Sequence, residues 1–124
     1  MLQTTILQAY IEVKAMIETE IELASQQDFE DTIKQGVTLV DFNAPWCAPC
    51  RSQDPIISEL RRSYSGRAVV AKVDIDKNQN VAFELGIQSI PTIIIFNAGK
   101  EFARFVGLQP AKILSSSIDS ALGT

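Results

Sequence analysis

The most informative stretch of the chain reads Trp46-Cys47-Ala48-Pro49-Cys50-Arg51. It holds the only two cysteines among the 124 residues, and the chain has no histidine. Two thiols separated by two residues can close a small disulfide ring and open it again. A disulfide across so short a loop stabilises a fold by about 2 kcal/mol, against about 4.7 kcal/mol for a loop of roughly 100 residues. We therefore interpret the pair as a site of thiol–disulfide exchange rather than as a structural cross-link.

The segments on either side of this stretch place Cys47 where a strand meets a helix. Residues 37–42 are near-continuously apolar, as expected of a strand buried on both faces, and residues 51–64 have helical periodicity. The positive end of a helix dipole lowers the pKa of a neighbouring thiol, so that more thiolate is present at neutral pH. We expect Cys47, as the more exposed sulfur, to be the nucleophile, and Cys50, one turn further along, to be the resolving thiol.

Metal sites and inert thiols are the alternative uses of two cysteines. A zinc site takes four nitrogen or sulfur ligands as a rule and an iron–sulfur cluster takes four cysteines, whereas this chain offers two sulfurs and no imidazole. A cluster would need sulfurs from a second chain. Two unreactive thiols are a further alternative, which the flanking residues disfavour. The six glycines form neither of the common phosphate-binding patterns, so we predict no metal, no cofactor and a supply of electrons from another protein.

These residues resemble the active site of the thioredoxin family, which usually reads Trp-Cys-Gly-Pro-Cys, with Ala48 standing here at the glycine position. The likeness covers about residues 20–122 and continues through a set of further positions, namely Asp41, Pro55, Lys72, Ile90-Pro91-Thr92 and Val106-Gly107. This combination is far more specific than two cysteines at the same spacing. By resemblance, the chain is identified as thioredoxin-like.

The resemblance implies an α/β thioredoxin fold, in which a central mixed β-sheet is flanked by helices. The order of elements indicated by the sequence, β-α-β-α-β-α-β-β-α, fits that class. The resemblance further implies a cis peptide bond between Ile90 and Pro91 that faces the cysteine pair. We divide the chain into an N-terminal helical extension, residues 1–18, and a thioredoxin domain, residues 19–124.

An extra amphipathic helix is predicted in the N-terminal extension. Apolar side chains of residues 2–17 fall on one stripe at helical spacing: Leu2, Ile6, Tyr10, Val13 and Ile17. We expect this stripe to pack against the same domain, away from the cysteines. The alternatives are a docking or dimerisation surface and a membrane-surface helix, the latter less favoured because Lys14 is the one cation on the polar face.

Two charged residues gain roles from the resemblance. Asp41 interrupts the buried strand, where burial is expected to raise the pKa of its carboxyl. The matching aspartate of the family lies behind the cysteines, which implies a proton acceptor for Cys50; an aspartate at a strand end facing water is the alternative. Lys72 matches the family lysine that approaches this aspartate, with a solvated edge lysine as the alternative. The implied surface for a client peptide consists of Trp46, Pro49, Ile90, Pro91, Val106 and Gly107.

The residues and the resemblance together indicate a dithiol–disulfide oxidoreductase that reduces protein disulfides, with roles in electron transport and cell redox homeostasis. The family implies protein clients and a thioredoxin reductase, a flavoprotein, as the electron donor. Strong oxidants and isomerases of the superfamily usually have His between the cysteines, and its absence favours a reductant. A disulfide isomerase and a thioredoxin-fold binding module, docked to a partner by its N-terminal helix, remain the alternatives.

Composition and the first residues indicate which kinds of partner and which cellular compartment to expect. A formal charge of −4 disfavours a nucleic-acid surface, and the chain lacks the run of about eighteen apolar residues from which a membrane span is predicted. The first residues lack the basic and uninterrupted apolar segments of an export signal. We expect a monomer in the cytoplasm, a compartment that keeps thiols reduced.

Overall fold

The computed structural model describes residues 5–11 and 21–123. From β1 onward, helices and strands follow each other in the predicted order. The elements are α1 (residues 5–11), β1 (Ile21–Glu22), α2 (Gln26–Ile33), β2 (Val37–Asn43), α3 (Ala48–Ser63), β3 (Ala68–Asp74), α4 (Gln79–Glu84), β4 (Thr92–Asn97), β5 (Lys100–Val106) and α5 (Ala111–Leu122).

The described strands form one mixed sheet in the order β1-β3-β2-β4-β5. β2 lies at the centre, parallel to β3 and antiparallel to β4, while β5 pairs with β4 and has an irregularity between Ile95 and Phe96. Every residue of β2 from Val37 to Phe42 is buried, as the near-continuous apolar run predicted. The α/β fold with a central mixed sheet is thereby confirmed.

Helices cover both faces of the sheet because side chains alternate along each strand. One face of β2, which carries Val37 and Leu39, packs with residues of α3 and α5. The other face, which carries Val40 and Phe42, packs with residues of α2 and α4. A short loop leads from β2 into α3, so the first turn of α3 is held near the carboxyl end of the central strand.

The first residues of two helices follow from their capping groups. Ser25 caps α2, its hydroxyl accepting the N–H of Asp28 at 3.1 Å. α3 begins at Ala48, three residues before the expected start. The reason is that Cys47 caps this helix and Pro49, which has no N–H to leave unsatisfied, is tolerated in the first turn.

The hairpin of β4 and β5 follows the peptide bond between Ile90 and Pro91. The peptide bond between Ile90 and Pro91 is cis, as expected. β4 begins at Thr92, since Pro91 has no N–H to donate to the strand ladder. Both turn residues have positive φ, 51° at Ala98 and 86° at Gly99, as a two-residue hairpin turn of the primed type requires.

The N-terminal helix α1 is present, and its apolar side chains are exposed. Ile6 is 67% and Tyr10 64% exposed, so the expectation that the apolar stripe packs against the same domain is wrong for these two residues. The remaining positions of the stripe lie outside the described residues: Leu2, Val13 and Ile17. Across residues 5–11 and 21–123, no helix has the length and apolar character needed to cross a membrane.

Candidate active site

Cys47 and Cys50 are joined by a disulfide at the start of α3. Their Cα atoms are 5.3 Å apart. Cys47 caps the helix with its side chain, because its Sγ accepts the backbone N–H of Cys50 at 3.2 Å. The first N–H groups of a helix have no intrahelical acceptor and carry the positive end of the dipole. In the reduced protein the same position favours the thiolate of Cys47.

Exposure does not distinguish the two sulfurs in the oxidised protein. Cys47 is 4% and Cys50 3% exposed, so the expected difference between them is negligible. Their positions in the helix do differ, since Cys47 precedes the first turn and Cys50 lies within it. The two cysteines therefore differ in their place at the start of α3 and not in access.

Residues around the cis proline lie against the disulfide, as the resemblance implied. The carbonyl oxygen of Ile90 is 3.8 Å from Sγ of Cys47, and Pro91 is buried. Gly107 belongs to the same group, because its N–H donates to the carbonyl oxygen of Pro91 at 2.8 Å. Three of the expected client-binding residues are thus brought together beside the cysteines.

Exposed apolar side chains flank this group. Trp46 is 67% and Val106 60% exposed, and Pro49 is exposed in the first turn of α3. The indole N–H of Trp46 donates to Oδ2 of Asp76 at 2.9 Å, which orients the ring. Adjacent exposed apolar side chains of this kind are typical of a surface that binds another protein.

Asp41 has no exposed surface. The parallel register sets it directly beside Lys72. Asp41 lies two residues after Leu39, which packs against α3. Residues two apart on a strand project to the same face of the sheet, so Asp41 projects towards α3 as well. The alternative of an aspartate at a strand end facing water is wrong, and the carboxyl lies on the side of the sheet that carries the cysteine helix.

Lys72 is paired rather than solvated. Its Nζ donates to Oδ1 of Asp54 at 2.8 Å, and its side chain is 16% exposed. The alternative of a solvated edge lysine is therefore wrong. Cys50, Asp54 and Lys72 line one cavity of about 320 Å³. In the part of the chain that the structure describes, no group of three or more Cys, Asp or Glu side chains is arranged to hold a metal ion.

Sequence reasoning misses two residues of α3 that belong to this region. Asp54 lies four residues after Cys50, a spacing that places both on one helix face and that could have revealed it. Gln53 is completely buried; its amide donates to the carbonyl oxygen of Gln109 at 2.9 Å and accepts the N–H of Gln109 at 2.8 Å. No local signal predicts this pairing, because the two residues are 56 positions apart.

Sequence comparison finds one family match that covers most of the chain. The family model described as Thioredoxin matches residues 20–120, which include both cysteines and the other residues of the site. The thioredoxin of Staphylococcus saprophyticus is 40% identical over 98 residues, which are 79% of this chain and 94% of that protein. The thioredoxin of Staphylococcus aureus is 40% identical over 95 residues, 77% of this chain and 91% of that protein.

Structural comparison gives the same result. A mutant thioredoxin from Halobacterium salinarum has a TM-score of 0.78 at 32% identity, over 85% of this chain and 92% of that one. The thioredoxin of Plasmodium falciparum has a TM-score of 0.74 at 30% identity, over 81% of this chain and 97% of that one.

Proposed function

The chain belongs to the thioredoxin family, and from this premise we propose the part that individual residues take in its reaction. Family membership and the disulfide between Cys47 and Cys50 make it a thiol–disulfide oxidoreductase that reduces protein disulfides. Disulfide-bonded proteins are its substrates and a thioredoxin reductase its electron donor, as in the family generally. The disulfide at the capped end of α3 is the observation that carries this function.

In the first step, the thiolate of Cys47 attacks one sulfur of a client disulfide. A bond forms between Sγ of Cys47 and that sulfur, and the S–S bond of the client breaks. The second client sulfur leaves as a thiolate and takes up a proton. The product is a mixed disulfide between the client and Cys47.

In the second step, Cys50 gives its thiol proton to Asp41 and attacks Sγ of Cys47. The mixed disulfide breaks, the disulfide between the two cysteines forms, and the client sulfur leaves and recovers the proton. Two electrons have then passed from the dithiol to the client. Support for Asp41 as the acceptor comes from its full burial on the side of the sheet that α3 covers. Burial disfavours the charged carboxylate, so a carboxyl in this place takes up a proton more readily than one in water.

An extended segment of the client is proposed to lie across the apolar surface beside the disulfide. The exposure of Trp46 and Val106 and the contact of Ile90 with Cys47 support this placement. The proposed surface consists of Trp46, Pro49, Ile90, Pro91, Val106 and Gly107.

A reducing compartment suits this reaction, because the dithiol must be regenerated after each turnover. We place the protein in the cytoplasm as a monomer, where it takes electrons from a thioredoxin reductase and serves electron transport and redox homeostasis. The bacterial thioredoxins to which it is similar support this assignment.

A binding module is the second candidate, favoured by the exposed apolar side chains Ile6 and Tyr10 of α1. In that case the N-terminal extension, residues 1–18, docks to a partner and the thioredoxin domain, residues 19–124, contributes its surface. A disulfide isomerase is the third, and differs from a reductase in the client reaction that it accelerates.

Insulin reduction coupled to a thioredoxin reductase and NADPH tests the proposed function. The wild type should turn over steadily, and Cys47→Ser should have no activity above buffer. Ser52→Ala, an exposed position on the same helix, is the matched control and should keep the wild-type rate. Absence of turnover with an active reductase would favour the binding module. Rapid recovery of scrambled ribonuclease with slow insulin reduction would favour the isomerase.

A further inference from the structure

Asp54 and Cys50 share one face of α3. They are four residues apart, which on a helix places their side chains next to each other. Oδ1 of Asp54 accepts a hydrogen bond from Nζ of Lys72 at 2.8 Å. Both members of this ion pair line the same cavity as Cys50. A carboxylate and an ammonium are therefore held beside the thiol to which we give the resolving step.

The backbone of Lys72 lies in β3, directly beside Asp41 of β2. The register pairs Asp41 with Lys72, and paired residues of parallel strands project to the same face. Lys72 thus lies beside the buried residue Asp41 at its backbone, and its ammonium binds Asp54. The side chains of Lys72 and Asp54 are 16% and 39% exposed, so solvent screens the pair only in part.

We propose that Asp54 is a positioning residue for the reduction of client disulfides: it holds the Lys72 ammonium in the cavity beside Cys50 and so sets the pH range in which Cys50 resolves the mixed disulfide. This rests on the roles proposed above for Cys50 and Asp41. A cation held close to a thiol or a carboxyl favours the anionic form of that group. Without the carboxylate of Asp54, the ammonium is no longer held in this cavity and favours the anionic forms of Cys50 and Asp41 less.

The step keeps its balance of protons and electrons when Asp54 is changed. The proton of Cys50 still passes to Asp41 and then to the departing client sulfur, and the client disulfide remains the oxidant. The other charged side chains that line the cavity also stay in place, which are Glu22, Arg51, Asp74 and Lys77. A shift in pH dependence on substitution therefore reports on the pair of Asp54 and Lys72.

A single-turnover reaction of the reduced protein with dithiobis(nitrobenzoate) separates the two steps, because each step releases one coloured thiolate. The first release reports attack by Cys47, and the second reports displacement by Cys50. Both rates are followed against pH in the wild type, Asp54→Asn, Lys72→Met and the double variant. Glu59→Gln is the matched control, since it removes an exposed carboxylate from the same helix outside the cavity. Asp54→Glu keeps the charge and tests rescue.

We expect Asp54→Asn to raise the half-maximal pH of the second release by roughly 0.5–1 unit, since loss of a nearby opposite charge moves a titration by about that much or more. The control variant should titrate like the wild type, and Asp54→Glu should return the midpoint towards it. In the Lys72→Met background, the Asp54→Asn substitution should move the midpoint by a clearly smaller amount. An unchanged or lowered midpoint in Asp54→Asn overturns the proposal, and so does an equal shift in both backgrounds, because Asp54 then acts without Lys72.

If the proposed thiol–disulfide exchange itself is wrong, the same assay gives a different result. If Cys47 is not the nucleophile, the first release is missing in the wild type or persists in Cys47→Ser, whatever the charge at position 54. If only the inference about Asp54 is wrong, the first release is present and depends on Cys47 while the midpoint of the second fails to move.

Discussion

At the scale of single residues, Asp41 combines full burial with a place on the side of the sheet that carries the cysteine helix. Replacing a buried carboxyl with an apolar side chain removes a desolvation cost of about 1–3 kcal/mol. We therefore expect Asp41→Ala to raise the free energy of unfolding near neutral pH and to slow release of the client from the mixed disulfide. Urea unfolding measures the first effect and single-turnover kinetics the second.

Asp74 provides the matched control for this substitution. It is 5% exposed, but its Oδ1 accepts the backbone N–H of Asp76 at 2.8 Å and that of Lys77 at 3.4 Å. Asp74→Ala removes both acceptors and should lower stability. A loss of stability in Asp41→Ala together with an unchanged rate of client release would contradict the role given to Asp41.

The pKa of Tyr64 leads us to expect a loss of stability at alkaline pH that is independent of the active site. Burial raises the pKa of Tyr64 above its usual 10.0; the hydrogen bond with Ser115 opposes the rise, and the one to Asp119, at 2.7 Å, adds to it. Because the folded state raises this pKa, the neutral hydroxyl stabilises the fold fully below pH 10.0, and the contribution is lost as the pH rises through the higher value. Tyr64→Phe should flatten the decline of Tm above that pH, whereas an identical decline would remove Tyr64 as its cause.

At the scale of elements, Gln53 joins α3 to the loop before α5. Its amide makes two hydrogen bonds with the backbone of Gln109, which follows Val106 and Gly107, two residues of the proposed client surface, by a few positions. Gln53→Leu nearly preserves the volume but removes the partner of a backbone N–H and a carbonyl oxygen. We expect the free energy of unfolding to fall by about 1–3 kcal/mol and the KM for insulin to rise more than kcat falls.

Ser52→Ala is the control for this prediction, since the neighbouring exposed side chain should change stability by no more than about 0.5 kcal/mol. Chemical denaturation of the two variants gives the comparison. Equal stabilities would show that the paired amide of Gln53 contributes nothing to holding the loop on α3.

The elements can be predicted where a local signal fixes them. Ser25 is a standard helix cap, and the apolar run of β2 indicates a strand buried on both faces whatever surrounds it. The first turn of α3 escapes prediction because a cysteine is not among the usual capping residues, although Cys47 caps this helix through its sulfur. Local chemistry thus determines most element boundaries, and unusual caps shift the others.

The site is predictable only in part from the sequence, for a physical reason. The cysteine pair is recognisable from its short fixed spacing, whereas the cis bond before Pro91 is implied by the resemblance to the thioredoxin family and not by the local sequence. The contacts of Asp54 with Lys72 and of Gln53 with Gln109 span 18 and 56 residues and depend on how α3 packs on the sheet. Such long-range pairs leave no periodic pattern in the sequence.

At the scale of the whole molecule, α1 leaves exposed two apolar side chains that were expected to be buried, Ile6 and Tyr10. Full burial of one such side chain stabilises a fold by about 1.5–3 kcal/mol, and Ile6 and Tyr10 are too exposed to contribute most of that. An apolar stripe has the same sequence pattern whether it packs inward or faces solvent, which is why the sequence misleads here. Deleting residues 1–18 should leave both Tm and insulin reduction close to those of the full chain.

Gel filtration of the full and truncated chains accompanies this test. Both should elute as monomers. A large fall in Tm on truncation would show that the extension packs against the domain in solution, and a full-length dimer that becomes monomeric would favour the docking alternative.

Mixed disulfides with insulin reveal which cysteine attacks. Reduced Cys50→Ser keeps the nucleophile and lacks the resolving thiol, so it should accumulate a covalent adduct with insulin through Cys47. Reduced Cys47→Ser should trap almost none, because it lacks the thiol that caps α3, where the helix dipole favours a thiolate. Mass spectrometry under non-reducing conditions measures the adduct in both variants. We expect adduct in Cys50→Ser alone, and equal amounts in the two variants would contradict Cys47 as the nucleophile.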